Sequence, residues 1–214
     1  MIDPSAHILS PATGQMQQSS LAGNDQLVFR AIMNALARPG TWHSVEAARP
    51  APNGLNVAAA ATLTALCDFE TAVWLSPSLQ KTSDVSSWLS FHTNAKCVDT
   101  PEQAAFAVID LAADELVLSA FAQGTADYPD RSTTLICMVP ETHEKGVNAE
   151  QKLRLNGPGI KDQTDFTIDG LPDDFAGQWA ANRAQFPLGV DIIFCSDKAV
   201  AGLPRSTLIL AEAV

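Results

Sequence analysis

Basic residues are scarce in this 214-residue chain: 13 Lys and Arg stand against 24 Asp and Glu, a formal net charge of -11 at pH 7. Proteins that hold nucleic acid neutralise phosphates with clustered cations, so this balance excludes that class of partner. Long apolar runs are missing too. The runs at 57–66 and 104–109 are far shorter than the roughly 20 residues that cross a bilayer, so no membrane span is expected. The first 26 residues lack the basic start, apolar stretch and cleavage site of a secretory signal, which makes the cytoplasm the expected compartment. The four cysteines, Cys67, Cys97, Cys137 and Cys195, form no CxxC pair, so neither a zinc knuckle nor a redox dithiol is expected. They read as core thiols, with Cys97 the exception because it lies near a histidine. His7, His43, His92 and His143 show neither HExxH nor HxH, and no metal site is expected. The serine-hydrolase elbow GxSxG is absent, as are both glycine-rich phosphate-loop patterns.

What is present is enough apolar side chain, 46% of the residues, to build one large core. The Ser-, Gln- and Ala-rich residues 1–24 read as an extended arm, and 25–214 as a single domain. A helix is expected from Asn24-Asp25, with Val28, Ile32 and Leu36 at helical spacing, stopped by Pro39-Gly40. A strand at 41–45 follows. Asn53 or Asn56 caps an Ala-rich helix to Leu66, followed by a strand at 71–76, a helix at 83–89 and a turn at 91–94. Further on, 105–109 reads as a strand and 114–122 as a helix, with 133–139 and 152–155 as strands that can pair with each other. Gly157-Pro158-Gly159 reads as a structural turn, because Pro158 has no N–H to offer an anion. A helix from 172–184 and strands at 190–195 and 207–210 complete the pattern. About five helices and seven strands in mixed order favour a three-layer α/β fold around a central mixed sheet.

Several side chains can carry chemistry. His92 can donate to an anionic oxygen or act as a general acid. Arg30, Arg38, Arg183 and Arg205 stand out by context among seven arginines, and guanidinium groups clamp anions bidentately. Asp191 opens an apolar strand and needs a partner if buried, which Arg183 or Arg205 can supply. Asp68 and Glu70 can act as paired carboxylates, although capping of a helix end is the favoured reading. Trp42, Trp74, Trp88 and Trp179 are expected in the core.

An ordered set of segments carries a family resemblance. It comprises Phe29-Arg30 with Met33 and Arg38-Pro39-Gly40; Val73-Trp74-Leu75-Ser76; Phe91-His92-Thr93-Asn94-Ala95; and Pro101-Glu102-Gln103-Ala104 with Phe106-Ala107-Val108. Further along come Leu153-Arg154-Leu155 with Gly157 and Gly159-Ile160, Phe186-Pro187-Leu188-Gly189-Val190-Asp191, and Pro204-Arg205-Ser206-Thr207. Together they resemble the H subunit of the bacterial carbon-phosphorus lyase system, the PhnH family. The resemblance implies a fold similar to the large domain of pyridoxal-phosphate (PLP)-dependent transferases, without that cofactor. It also implies a cytoplasmic homodimer assembled with G, I and J subunits. In that system G, H and I support displacement of adenine from ATP by a phosphonate such as methylphosphonate, giving ribose 1-phosphonate 5-triphosphate; C-P cleavage belongs to J. ATP is then a co-substrate of the complex, and no cofactor is expected in this chain. Within the matched segments, Arg30, Arg38, His92, Asp191 and Arg205 are the candidates for binding an anion or orienting a ribose. No catalytic residue is assigned. A chain so short of bases is expected to be structural or to complete a composite site whose main chemistry lies in I. The competing reading is a stand-alone transferase that still binds PLP, for which Lys198 is the lysine least readily excluded.

Overall fold

The computed structural model describes residues 11–81, 83–140 and 151–210, with side chains from residue 23 onward. At its centre is a seven-stranded sheet formed by β1 (Trp42–Ser44), β2 (Ala72–Leu75), β3 (Lys96–Cys97), β4 (Phe106–Asp110), β5 (Thr134–Met138), β8 (Asp191–Cys195) and β9 (Ala199–Leu203), in the order β1-β9-β8-β5-β4-β2-β3. The stretch from β3 to β8 is parallel, with Val73 opposite Phe106, Phe106 opposite Thr134 and Thr134 opposite Asp191. β9 folds back antiparallel on β8, and β1 closes the edge antiparallel to β9. The sheet is therefore mixed, as the sequence led us to expect.

Parallel strands are covered on both faces, and the alternation of side chains assigns each face its own core. Val108, Ile136, Met138, Ile193 and Cys195 point to one side. There they meet α1 (Pro11–Ala37), α2 (Val57–Leu66) and α4 (Ser83–Thr93), with the short α3 (Pro77–Gln80) beside them. Ala107, Ile109, Leu135, Cys137, Ile192 and Phe194 point to the other side. That face is covered by α5 (Phe175–Ala184) and a three-stranded antiparallel sheet, β10-β6-β7, of Leu208–Leu210, Gln151–Asn156 and Thr164–Ile168. Helices, central sheet and second sheet with α5 make three layers.

Small residues set the closest contacts. The ideal Cβ position at Gly202 of β9 lies 2.7 Å from the Ala35 backbone, so α1 rests directly on the strand. Gly159, at φ 82°, brings the turn after β6 against the end of α1, where a Cβ would lie 2.0 Å from the Ala37 carbonyl oxygen. The Gly157-Pro158-Gly159 segment is thus a packing turn. Of the two possible caps for α2, Asn56 is used: its Oδ1 accepts the Ala59 N–H at 2.8 Å while its Nδ2 donates to the Cys195 carbonyl at 2.8 Å, tying the helix start to the end of β8.

Six expectations need correction. Residues 11–24 are helix rather than extended arm, and 1–10 lie outside the described residues. Asn24-Asp25 does not open α1, which already runs from Pro11, and the Asp25 carboxylate pairs with Arg49 instead. The helix expected at 114–122 is only a 3₁₀ turn, Leu118–Ala120. Side-chain amides take its backbone instead: Gln178 accepts the Leu118 N–H at 2.9 Å and Gln123 donates to the Leu118 and Phe121 carbonyls. β5 and β6 do not pair, since β5 lies between β4 and β8 and β6 belongs to the second sheet. α4 runs on to Thr93, which places His92 in its last turn rather than in a bend. Trp179 is buried as expected, but Trp42 is 40% exposed and leans on Phe166.

Candidate functional site

The five candidate residues do not converge on one cavity. Asp191, at the start of β8, and Arg205, just beyond β9, do meet, and theirs is the most extensively bonded ion pair among the described residues. Nε of Arg205 donates to both carboxylate oxygens of Asp191 at 3.1 Å, Nη2 donates to Asp191 Oδ2, and the Arg205 backbone N–H adds a bond to Oδ1 at 2.7 Å. Nη2 also reaches Ser132 Oγ at 2.6 Å, while Nη1 reaches the carbonyls of Pro129 at 3.1 Å and Pro187 at 3.3 Å. A guanidinium has five N–H donors, and every one of them has an acceptor here. Arg205 therefore has no donor left for a ligand anion. The pair instead positions two loops, one through Pro129 and one through the cis Phe186-Pro187 bond.

The other face of the molecule brings together a different set. Arg49, which sequence reasoning passed over, forms a bidentate pair with Asp25 at 2.8 and 3.1 Å. Thr64 of α2 also reaches Asp25, at 3.5 Å. Trp88 of α4 donates to the Pro50 carbonyl at 3.1 Å, next in chain to Arg49, and its ring lies 4.7 Å from His92. Partial desolvation, and secondly the Arg49 charge, push the His92 imidazolium pKa below its ordinary value.

Beside the Asp25–Arg49 pair an open groove of about 720 Å³ runs along α1, lined by Asp25, Gln26, Phe29, Arg30, Met33 and, from α2, Ala65. Phe29 and Met33 are 47% and 49% exposed. Arg30 thus joins a mainly apolar surface, and among the described residues it has no ion-pair partner. Arg38 is exposed just past the end of α1; its backbone N–H donates to the Asn34 carbonyl at 3.0 Å and its carbonyl accepts the Thr41 hydroxyl at 2.6 Å, and its side chain has no ion-pair partner among the described residues. The signal for this surface was present in the sequence: a helix that buries Val28, Ile32 and Ala35 carries a second apolar stripe at Phe29 and Met33.

The remaining candidates have local duties. Asp68 accepts the Thr71 hydroxyl at 2.8 Å and the Glu70 N–H at 3.0 Å, closing the turn after α2. Lys198 is exposed on the β8–β9 turn, and Lys81, Lys96, Lys152 and Lys161 are also exposed; His143 and Lys145 lie outside the described residues. Burial pushes the thiols of Cys67 and Cys195 up to about 12, and that of Cys137 upward as well, so none is a nucleophile at neutral pH. Among the described residues there is no cluster of three metal-ligating side chains, and no helix is long and apolar enough to cross a membrane.

The family pattern of the bacterial phosphonate metabolism protein PhnH matches residues 17–210. A protein of Rhizobium meliloti (strain 1021), named alpha-D-ribose 1-methylphosphonate 5-triphosphate synthase subunit PhnH, is 43% identical over 187 residues, covering 87% of this chain and 90% of the relative. A second relative, from Stutzerimonas stutzeri, named "Putative C-P lyase subunit protein HtxG", is 29% identical over 188 residues, covering 88% and 87% of the two chains. The matched span takes in both cores, the Asp191–Arg205 pair and the α1 groove, and the chain belongs to the PhnH family of bacterial phosphonate metabolism proteins.

Proposed function

We propose that this chain is a non-autonomous subunit of the carbon-phosphorus lyase assembly, required with the G and I subunits when an alkylphosphonate displaces adenine from ATP. In that reaction a phosphonate oxygen forms a bond to C1′ of the ribose as the bond from C1′ to the adenine nitrogen breaks. With methylphosphonate the product is alpha-D-ribose 1-methylphosphonate 5-triphosphate. The observation that carries the reading is the 43% identity to a named subunit of that synthase, over nine-tenths of the relative's length.

The distribution of charge supports a supporting role. A triphosphate and a phosphonate need several cations, whereas Arg205 and Arg49 are committed to Asp191 and Asp25 and Arg30 and Arg38 stand apart. The G, I and J subunits are the proposed partners, with the main chemistry of adenine displacement in I and C-P cleavage in J. Residence in the cytoplasm, self-association as a homodimer and descent from the PLP-transferase fold without its cofactor belong to the same proposal.

Assembly is tested by co-expressing this chain with a tagged I subunit and the G and J subunits, then measuring the mass of the purified particle. Stoichiometric inclusion of this chain is expected. Its absence from a particle that contains G, I and J would overturn the reading.

A further inference from the structure

We propose that the groove along α1 is the docking site for an acidic amphipathic helix of another protein chain, an inference that rests on the reading of this chain as a subunit. The helix turns two apolar stripes in different directions. Val28, Ile32 and Ala35 are at most 1% exposed and pack on the central sheet, while Phe29 and Met33 face outward across the groove with Ala65 of α2 as its other wall. Side chains four residues apart on one helix present a continuous apolar strip, the surface that receives the i, i+3, i+4 and i+7 positions of a partner helix.

Charge selects the occupant. Asp25 is the sole carboxylate among the described lining residues, and both of its oxygens are held by Arg49. Arg30 lies in the groove with no ion-pair partner among the described residues. On a chain of net charge -11, the groove thus offers an unpaired cation, Arg30, while its one carboxylate is already neutralised by Arg49. A complementary segment places carboxylates beside its apolar positions. A second copy of this chain fits poorly: a two-fold contact along α1 sets the same patch against itself, bringing Arg30 towards its own symmetry mate with no free carboxylate between them. A basic segment is repelled by Arg30.

The test uses the full-length chain, carrying p-benzoylphenylalanine in place of Met33, co-expressed with the other subunits. The purified particle is irradiated and the cross-linked peptide sequenced. The expected result is a helical peptide of another subunit with apolar residues at helical spacing and at least two carboxylates. A cross-link to this chain itself, to a basic segment, or none at all from a particle that does assemble, overturns the docking site and leaves the subunit reading intact. Failure of the unaltered chain to join any particle removes the subunit reading first, and the docking site with it. In parallel, Arg30→Glu is expected to weaken association about tenfold or more, with an unchanged unfolding midpoint because the side chain is exposed. Wild-type association by that variant would equally overturn the proposal.

Discussion

The guanidinium of Arg205 closes on the carboxylate of Asp191 and, from the same plane, bonds the carbonyls of Pro129 and Pro187, so one side chain joins the start of β8 to two loops 58 residues apart. The two side chains are 14% and 23% exposed. Removing either leaves the other charge partly buried and unpaired, a loss that usually exceeds the net worth of the pair. Arg205→Ala is expected to lower stability by about 3 kcal/mol, read as a fall in the urea midpoint with little change in slope. Arg205→Lys recovers less than half, because an ammonium cannot reproduce the fork. An unchanged midpoint in the alanine variant would refute the structural assignment of this pair.

Burial, and secondarily the neighbouring Asp114 charge, hold the Asp110 carboxyl above its ordinary value, despite a hydrogen bond from the Ala112 N–H. The folded chain therefore keeps its proton to higher pH than the unfolded chain does. This group's contribution to stability is fully present below pH 3.8, its unfolded value, and is lost as pH rises through the folded value. Asp110→Asn keeps the acceptor and discards the charge. It is expected to be more stable than the parent at pH 7, with the gain vanishing near the unfolded pKa. Chemical denaturation at both pH values decides, and a less stable variant at pH 7 contradicts the argument.

Thiol accessibility gives a third check. Cys67, Cys137 and Cys195 are buried while Cys97 is exposed on the short edge strand β3. Native protein at pH 8 is expected to label at Cys97 alone, slowly for a free thiol because partial burial raises its pKa. All four cysteines label once the chain is unfolded. Rapid native labelling of Cys195, which lies under α2 beside Thr62, would contradict the packing of that helix.

The seat of α1 on the sheet is tested at Gly202. A methyl group there meets the Ala35 backbone at 2.7 Å, and backbone does not swing aside as the end of a flexible side chain does. Gly202→Ala is expected to cost about 1–3 kcal/mol by overpacking. A larger unfolding midpoint than the parent's would mean that α1 lies elsewhere.

Much of this molecule was legible in its sequence where one local rule decided the outcome. The β-branched run at β8 fixed a buried strand, and Asp191 at its head required a cation, which is Arg205. Asn56 before the Ala-rich run marked the start of α2. Legibility failed where distant side chains took over the backbone, as Gln178 and Gln123 do around Leu118. It failed again at β9, whose Ala-Val-Ala-Gly-Leu sequence has little strand character and is placed by the closeness of α1. The chemistry of Arg30, Arg38 and His92 permits anion binding as readily as that of Arg205, and only the fold sets them apart from it. The Asp25–Arg49 pair spans 24 residues, and nothing in the local pattern marks it.

The most direct measurement of the central claim is adenine release from ATP and methylphosphonate at a fixed concentration of G and I subunits, with this chain titrated in. The account predicts no release from this chain alone, none above background from G and I, and activity that rises to saturation at one copy of this chain per copy of I. Full activity from G and I without it, or adenine release by this chain alone, would contradict the account.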